Sequence, residues 1–248
     1  MFAREHHRDV ALVLQALEPD VLAARRCYFG GGTAMALRHG EYRESIDIDF
    51  LVSDRAGYRD LRQMLSTANG LGPLLRPGMP VEQVRAIRAD QYGIRTQVRS
   101  GATVIKFEIV LEARIELSTP EADDKVCGLS TLAPVDLAAE KLLANADRWA
   151  DDAVFSRDII DLAMQQAASP LLRAACAKAE TAYGDAVRQS LTQAVDALRE
   201  RPHRLEACMK ALSMTSVSKA ALWQAVRRLP RVLPLPQAAR DGTAKPAR

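Results

Sequence analysis

The sequence has no hydrophobic run long enough to cross a membrane, and aromatic residues make up only 5% of its 248 residues. Its four cysteines are scattered along the chain, at positions 27, 127, 176 and 208. Because no C-x-x-C pair and no histidine at zinc-finger spacing accompanies them, they predict buried thiols rather than a disulfide framework or a zinc site. Residues 1–9 are too charged for a secretory signal. We therefore expect a reducing, cytoplasmic setting and no membrane partner.

Two common catalytic motifs are also absent. No G-x-S-x-G segment occurs, so the sequence offers no nucleophile elbow for a serine hydrolase. The glycines of residues 30–33 lack the Gly-Lys-Ser/Thr ending of a P-loop, which argues against a P-loop ATPase. The four histidines, at positions 6, 7, 39 and 203, have no nearby cysteine or acidic pattern, so none is a convincing catalytic base.

What remains is the composition of an ordinary globular protein, with 48% hydrophobic and 26% charged residues, enough for one large core or two modest ones. The formal net charge of +3 hides an asymmetry. Residues 170–248 carry 14 basic and 6 acidic side chains, whereas residues 1–169 carry 20 and 25. Net charges of +8 and −5 suit an enzyme that acts on RNA or DNA, although basic helix surfaces also serve solvation alone.

Hydrophobic periodicity divides the chain into two parts. Up to residue 130, helical patterns over 10–22, 33–39 and 54–66 alternate with strand-like runs over 27–29, 47–52, 81–89, 93–98 and 103–115. Beyond it the patterns are helical, over 134–149, 155–168, 171–183, 185–200, 203–213 and 217–229. They predict an α+β fold with a mixed-sheet domain at 1–130, an all-helical domain at 131–230 and a flexible tail at 231–248.

The most informative segment joins a glycine-rich turn, Gly30 to Thr33, to an acidic strand. Backbone N–H groups and the positive end of the following helix bind phosphate in such turns, although glycines there also relieve backbone strain alone. Asp47 and Asp49 alternate along the strand, so both carboxylates share a face where Mg²⁺ ions can bind, although paired carboxylates on a strand also occur simply facing solvent. Two adjacent like charges inside a hydrophobic run are costly without a cation. The combination predicts phosphoryl or nucleotidyl transfer.

Two blocks of residues resemble a known family. The run Gly31-Gly32-Thr33-Ala34, followed by Arg43-x-Ser45-x-Asp47-Ile48-Asp49-Phe50, resembles the nucleotidyltransferase superfamily related to DNA polymerase β, and more narrowly the AbiEii/AbiGii-type toxins, which include the MenT toxins. Later, Glu140-Lys141-Leu142-x-Ala144-x-x-Asp147-Arg148 and Arg157-Asp158-x-x-Asp161-Leu162 resemble that family's Lys-containing helix and Asp-x-x-Asp segment. Thr33 replaces the serine common in the superfamily and keeps its hydroxyl. The fold implied is a nucleotidyltransferase-like mixed sheet with flanking helices, followed by a helical domain that completes the active site.

The resemblance implies a metal-dependent catalytic site. Asp47 and Asp49 are expected to hold two Mg²⁺ ions, and a third carboxylate on a neighbouring strand completes the metal site and acts as base. Glu108 has the alternating position for this role, and Glu112 is the fallback. The alternative is that Glu108 faces outward and pairs with Lys106 on the same face.

The resemblance also implies a nucleotide-binding set. Its members are Gly31, Gly32, Thr33, Arg43, Ser45, Lys141, Asp158 and Asp161. Gly32 and Thr33 are expected at the β- and γ-phosphates, and Lys141 as a catalytic contact to the triphosphate. Alternatively, Lys141 is an ordinary snorkelling side chain, and Asp158 and Asp161 belong to a structural ion-pair network.

The function implied is transfer of NMP from an NTP to an acceptor hydroxyl. The acceptor suggested by the resemblance is RNA, such as a tRNA 3′ end, and the protein is expected to be the toxin of a toxin–antitoxin system with a cognate antitoxin as partner. The alternatives are transfer onto a protein or small molecule, and a catalytically silent nucleotide-binding module. The last helices carry no matching motif, so they do not indicate the acceptor.

Overall fold

The structure is a computed structural model and describes residues 2–79 and 81–235. It divides into two compact units, the first ending at Leu137 and the second beginning at Ala138. The first contains α1 (Glu5–Gln15), α2 (Pro19–Ala23), β1 (Tyr28–Gly30), α3 (Gly31–Arg38), β2 (Ile48–Val52), α4 (Arg55–Thr67), β3 (Glu82–Gln83), β4 (Arg88–Ala89), β5 (Gly93–Ser100), β6 (Thr103–Leu111), β7 (Lys125–Val126) and β8 (Leu129–Ser130). The helix α5 (Pro134–Arg148) begins in this unit and continues into the second, which contains α6 (Arg157–Met164), α7 (Ser169–Tyr183), α8 (Ala186–Glu200), α9 (Arg204–Ala211) and α10 (Lys219–Val232). Short 3₁₀ helices occur at Gly72–Leu74 and Asp152–Val154.

The first unit is built around a mixed sheet in the order β1-β2-β6-β5-β3, with β4 also paired to β5. β2 and β6 run parallel, whereas the other neighbouring pairs are antiparallel. β7 and β8 form a separate antiparallel hairpin. This topology makes β2 and β6 neighbours although more than 50 residues separate them along the chain. Side chains at the same level of these two strands therefore lie side by side.

Alternation along the central strands determines which face of the sheet forms the core. Phe29 of β1, Phe50 of β2 and Phe107 of β6 are fully buried, and the ring centroids of neighbours are 5.6 Å apart. Each such ring contributes about 2–3 kcal/mol of hydrophobic free energy when it is buried. Asp49 and Glu108 directly precede or follow core residues on β2 and β6, so they lie on the opposite face. The aromatic core thus fixes the face on which the charged side chains stand.

The structure confirms the α+β class and its helical C-terminal part, but it corrects two elements. The helix predicted over 10–22 is wrong, because α1 ends at Gln15 and α2 begins at Pro19. Proline lacks the N–H needed inside a helix and disfavours helical backbone at the preceding residue. The strand-like run over 81–89 forms only the two short strands β3 and β4, which pair with opposite ends of the longer strand β5.

The second unit packs around its last helix. α10 lies against α6, α7, α8 and α9 and buries Leu222, Val226 and Leu229. The tail predicted over 231–248 begins too early, because α10 continues to Val232 and Leu233 is fully buried one turn after Leu229. Residues 236–248 of that tail lie outside the described residues. Within the described residues, no helix combines the length and apolar character needed to span a bilayer.

Candidate active site

A row of four residues crosses the sheet of the first unit at one level. Asp49 of β2 is the register partner of Gly30 on β1 and of Glu108 on β6, and Glu108 is in turn the partner of Arg95 on β5. The sheet therefore brings two predicted site carboxylates, Asp49 and Glu108, directly next to each other. Asp47 stands two residues before Asp49, immediately ahead of β2, and both aspartates are half-buried.

The glycine turn lies against this row. Gly31 has φ +67°, in the left-handed region, and a Cβ at this position would overlap the Asp49 carboxylate. A Cβ at Gly32 would overlap the Arg43 guanidinium. Backbone conformation and close approach both favour glycine at position 31, and close approach alone favours it at position 32. The helix N-terminus therefore lies beside the acidic strand.

Glu108 is engaged by two cations. Lys106 Nζ lies 2.6 Å from its Oε2 and Arg95 Nε lies 3.0 Å from its Oε1. Desolvation acts to lower the pKa of Lys106, but its hydrogen bond to Glu108 and the charges of Glu108, Asp47 and Asp49 outweigh it and raise that pKa. Glu108 therefore pairs with Lys106, as the alternative interpretation expects, and it also lies beside Asp49.

The fallback residue Glu112 has a different environment. It follows β6 and is 3% exposed, and its carboxylate accepts from the Arg114 backbone N–H at 2.6 Å and from the Arg114 guanidinium at 2.7 Å. Its own N–H donates to the Val52 carbonyl at 2.8 Å. Asp49 is the register partner of Glu108, and the last paired residues of these two strands are Val52 and Leu111. Glu112 therefore lies four residues further along the chain than the level of Asp49. The structure thus brings Glu108, and not Glu112, beside Asp49.

A buried hydroxyl connects α3 to the segment that carries Asp47. Thr33 is 1% exposed, and its Oγ1 lies 2.9 Å from Ser45 Oγ and donates at 2.5 Å to the Asp47 carbonyl. Arg43 is also buried and donates from its guanidinium to the Glu44 carbonyl at 2.8 Å. Thr33 and Arg43 are therefore built into the scaffold that positions the aspartates.

His7 of α1 holds the same segment from the other side. The fully buried ring places Nδ1 2.8 Å from Glu41 Oε1 and Nε2 3.2 Å from the Ser45 backbone nitrogen. Because a backbone N–H can only donate, Nε2 accepts from Ser45 and the ring proton is on Nδ1, which donates to Glu41. Burial lowers the pKa of His7 and outweighs the raising effect of Glu41. A neutral imidazole thus fixes the chain two residues before Asp47.

This geometry predicts a pH-dependent contribution to stability. The folded pKa of His7 lies below its unfolded value of 6.5, so the unfolded chain binds more protons as the pH falls below that value. The stabilising effect of His7 is full above pH 6.5 and declines toward the folded pKa. We expect His7→Gln to cost about 1–3 kcal/mol at pH 7.5 and less at pH 5.5, measured by urea unfolding. His203→Gln, at an exposed site, is the control, and an equal cost of His7→Gln at both pH values would contradict the assignment.

The second unit contains a buried ion-pair cluster formed by the other predicted residues. Lys141 of α5 is 6% exposed, and its Nζ lies 2.7 Å from Asp161 Oδ2 and 3.3 Å from Asp158 Oδ1. Arg148, two turns further along α5, binds Asp158 through Nε at 2.7 Å. Burial acts to raise the pKa of Asp158, but Lys141 and Arg148 outweigh it and hold that pKa below its usual range. The predicted Asp-x-x-Asp segment and the Lys-containing helix are therefore brought together.

Two further features are close to this cluster in sequence. Asn145 lies between Lys141 and Arg148 on α5, and its buried Nδ2 has no hydrogen-bond partner in the described part of the chain. Phe155 and Ser156, directly before α6, both have left-handed backbone, with φ +51° and +52°. Consecutive non-glycine residues in this conformation store strain of about 1–3 kcal/mol each. The strained turn sets the start of α6 and thereby the position of Asp158.

The donor chemistry of the first unit fits a divalent cation. Asp47 and Asp49 supply hard carboxylate oxygens from alternate positions, and Glu108 adds a third carboxylate at the level of Asp49. The Lys106 ammonium, which interacts with all three, shows that this cluster accommodates a positive charge. Within residues 2–79 and 81–235 no group of three or more His, Cys, Asp and Glu side chains already has the arrangement of a metal site. The three carboxylates therefore fit a divalent cation in donor type and in charge.

Sequence reasoning missed the neighbours that orient the carboxylates. Arg95 belongs to a strand whose alternation is legible, but its partner on β6 depends on the register of two strands. His7 is separated from Ser45 by 38 residues and has no motif around it. No local signal in the sequence identifies either residue.

Comparisons with known proteins concern the chain as a whole. A family model described as nucleotidyl transferase AbiEii toxin, type IV toxin–antitoxin system, matches residues 12–237. A crystal structure of a candidate nucleotidyltransferase from H. pylori is 15% identical with a TM-score of 0.52, over 92% of this chain and 94% of that chain. The crystal structure of JHP933 from Helicobacter pylori is 14% identical with a TM-score of 0.53, over 94% and 95%.

At these identities the two structures show similarity of fold alone, and no curated protein sequence matches the chain. The family model, in contrast, covers nearly the whole chain, including the glycine turn, the acidic strand and the Lys141 cluster. The chain therefore belongs to the AbiEii nucleotidyltransferase toxin family, whose members use a nucleoside triphosphate with a divalent metal and have an antitoxin as partner.

Proposed function

We propose that this protein transfers NMP from a Mg²⁺-bound NTP to a hydroxyl of RNA, with a tRNA 3′ end as the acceptor that the family resemblance favours. The observation that carries the proposal is the close approach of Gly31, at the start of α3, to the Asp49 carboxylate, which lies next to Glu108. Phosphate-binding backbone and metal-binding carboxylates are the two requirements of nucleotidyl transfer, and they adjoin here.

The start of α3 supplies the phosphate-binding part of the proposal. The first N–H groups of a helix have no intrahelical partner and carry partial positive charge, so those of Gly31, Gly32 and Thr33 would bind the β- and γ-phosphates. The Arg43 guanidinium lies against Gly32 and adds a full positive charge at the same place. Ser45, within 2.9 Å of the Thr33 hydroxyl, would complete this set.

Asp47 and Asp49 would hold the metal, and the family resemblance implies two Mg²⁺ ions. When bound, Mg²⁺ would neutralise charge on the triphosphate and on the departing pyrophosphate. His7, Thr33 and the aromatic core keep the two carboxylates in place, so little reorganisation is required during the reaction.

Glu108 would act as the base. The acceptor oxygen forms a bond to the α-phosphorus, the bond from the α-phosphorus to the bridging oxygen breaks, and pyrophosphate leaves with the electron pair. The acceptor proton passes to a Glu108 carboxylate oxygen. Lys106 and Arg95 each contact one of these oxygens, and since a carboxylate has about four acceptor sites, Glu108 keeps the capacity to accept the proton.

The roles of Lys141, Asp158 and Asp161 toward the nucleotide stay predictions from the resemblance. Within their own unit, the two aspartates neutralise the Lys141 ammonium. The buried, unpartnered Asn145 amide on the same helix supports a polar ligand near this cluster.

The close approach at Gly31 predicts a sharp mutational effect. Gly31→Ala combines a left-handed alanine, which costs about 1–2 kcal/mol, with displacement of the Asp49 carboxylate. We expect nucleotidyl transfer to fall about a hundredfold or more, because misplacing a catalytic group by an ångström has effects of this size. Gly101→Ala is the matched control, since Gly101 has φ +58° and open space around it. Equal activity of the two variants would contradict the role of Gly31.

A labelling experiment tests the acceptor. The protein is incubated with α-³²P-labelled ATP, GTP, CTP or UTP and Mg²⁺, together with total RNA, a protein extract or a small-molecule fraction. We expect label in RNA that is removed by ribonuclease, with incorporation at the 3′ end. Label confined to protein or to small molecules would contradict RNA as the acceptor, and no label in any fraction would contradict the transfer itself.

A further inference from the structure

The second unit carries a basic groove between α8 and α10, and none of the residues proposed for nucleotidyl transfer lines it. α10 packs against α8, and the open groove between the two helices has a volume of about 670 Å³. This volume is in the range of ~300–1,000 Å³ typical of small-molecule sites. The residues that matter for its chemistry are Thr192, Asp196, Arg199, Trp223, Arg227 and Arg231.

The groove has an unbalanced positive charge. On α8, Arg199 binds Asp196 at 2.9 Å, so the acidic residue in the wall is already neutralised. Arg227 and Arg231 lie one helical turn apart on α10, a helix with no acidic residue, and both are exposed. Neither has an ion-pair partner within residues 2–79 and 81–235. Like charges at this spacing destabilise a helix slightly, and an anionic ligand along the groove would relieve this repulsion.

An aromatic side chain continues the same stripe. Trp223, Arg227 and Arg231 are spaced by four, so they follow one face of α10 at intervals of about 6 Å along the axis. Trp223 is half-buried and lines the groove. A flat aromatic surface next to arginines placed along a groove is the arrangement used by sites for single-stranded nucleic acid, in which bases stack and phosphates follow the cations.

We propose that this groove binds a single strand of the acceptor RNA, with Arg227 and Arg231 on successive phosphates and Trp223 stacked on a base. The inference rests on the proposed function for the identity of RNA as acceptor. A strand fits better than a free mononucleotide, because the arginine charges are distributed along the groove and do not converge on one point.

Binding of a fluorescein-labelled oligo(U) of about 12 nucleotides to the full-length protein tests the proposal by fluorescence anisotropy. Arg227→Ala/Arg231→Ala should weaken binding about tenfold and reduce the slope of log affinity against log salt by about 1.4, or 0.7 for each lost phosphate contact. Trp223→Ala should weaken binding at least about fivefold, whereas Trp223→Phe should retain most of it. Arg173→Ala/Lys210→Ala removes two exposed charges from α7 and α9 and should bind like wild type.

Several outcomes would overturn the groove. The first is unchanged affinity and salt slope in Arg227→Ala/Arg231→Ala, and the second is an equal loss of affinity in the control pair. The third concerns binding of labelled poly-glutamate, measured in the same way. If Arg227→Ala/Arg231→Ala weakened binding of poly-glutamate but not of oligo(U), the groove would bind an acidic protein partner instead of RNA. RNA labelling by the same proteins separates this proposal from the function. If wild type binds oligo(U) through the groove but labels no RNA, the proposed acceptor fails and the groove stands. If wild type labels RNA and the arginine variant binds and labels equally well, the groove alone fails.

Discussion

Replacement of Asp49 by asparagine is expected to reduce nucleotidyl transfer about a thousandfold, because several kcal/mol of metal-dependent stabilisation of the transition state is lost. Asparagine has the same shape as aspartate, so contact with Gly31 and the register with Glu108 are retained. The midpoint of thermal unfolding should be unchanged or higher, since one of three clustered carboxylates is neutralised. Initial rates with α-labelled NTP, Mg²⁺ titration by calorimetry and thermal unfolding measure the three effects.

Glu82→Gln provides the matched control for Asp49→Asn. Glu82 lies on β3 of the same sheet, is exposed and pairs with Arg99 at 3.3 Å, so its charge is removed away from the acidic row. Its transfer rate and Mg²⁺ binding should equal those of wild type. If Asp49→Asn kept more than a tenth of the wild-type rate, or bound Mg²⁺ with unchanged affinity, Asp49 would not be a metal ligand.

The second large effect is on stability. Lys141→Met is expected to lower the free energy of unfolding by about 3–5 kcal/mol, because it removes the ammonium that two buried carboxylates share. Asp161 is fully buried and lies 2.7 Å from Lys141 Nζ. Adding Asp161→Asn to Lys141→Met should recover part of this loss, since the buried charge is then neutral. Urea unfolding at pH 7.5 measures each variant.

Arg148→Met is the control for the ion-pair cluster. Arg148 is about one-third exposed, and Asp158 keeps Lys141 when Arg148 is lost, so the expected cost is only about 1 kcal/mol. If Lys141→Met had the same free energy of unfolding as the wild type, Lys141 would have no structural role in the ion-pair cluster. If that stable variant had also lost transfer, Lys141 would be a triphosphate contact, as the family resemblance implies.

The parts of the site that follow each other along the chain could be predicted from the sequence. The glycine turn and Asp47 and Asp49 form one short segment, and alternation within β6 predicted Glu108 rather than Glu112 as the carboxylate that lies beside Asp49. Spacing of three residues in α6 indicated that Asp158 and Asp161 share a face, which their common contact with Lys141 confirms. These inferences succeed because helix and strand geometry relates near neighbours directly.

The parts that depend on strand register or on distant segments could not be predicted. Arg95 and Glu108 come together because β5 pairs with β6 in one register out of several. His7 contacts Ser45 because α1 packs against the segment before β2, which no periodic pattern encodes. The break between α1 and α2 was missed because the apolar spacing continues through it, while the decisive residue is Pro19. Tertiary context determines these features.

The position of the transferred phosphorus tests the central claim most directly. Parallel reactions contain wild-type protein, Mg²⁺, total RNA and each NTP labelled at either the α- or the γ-phosphate. Label from the α-phosphate should enter RNA with release of one pyrophosphate per nucleotide added, and label from the γ-phosphate should not. Transfer of γ-label would show phosphoryl transfer instead, and absence of transfer from every NTP to any fraction would contradict a nucleotidyltransferase site at Asp47 and Asp49.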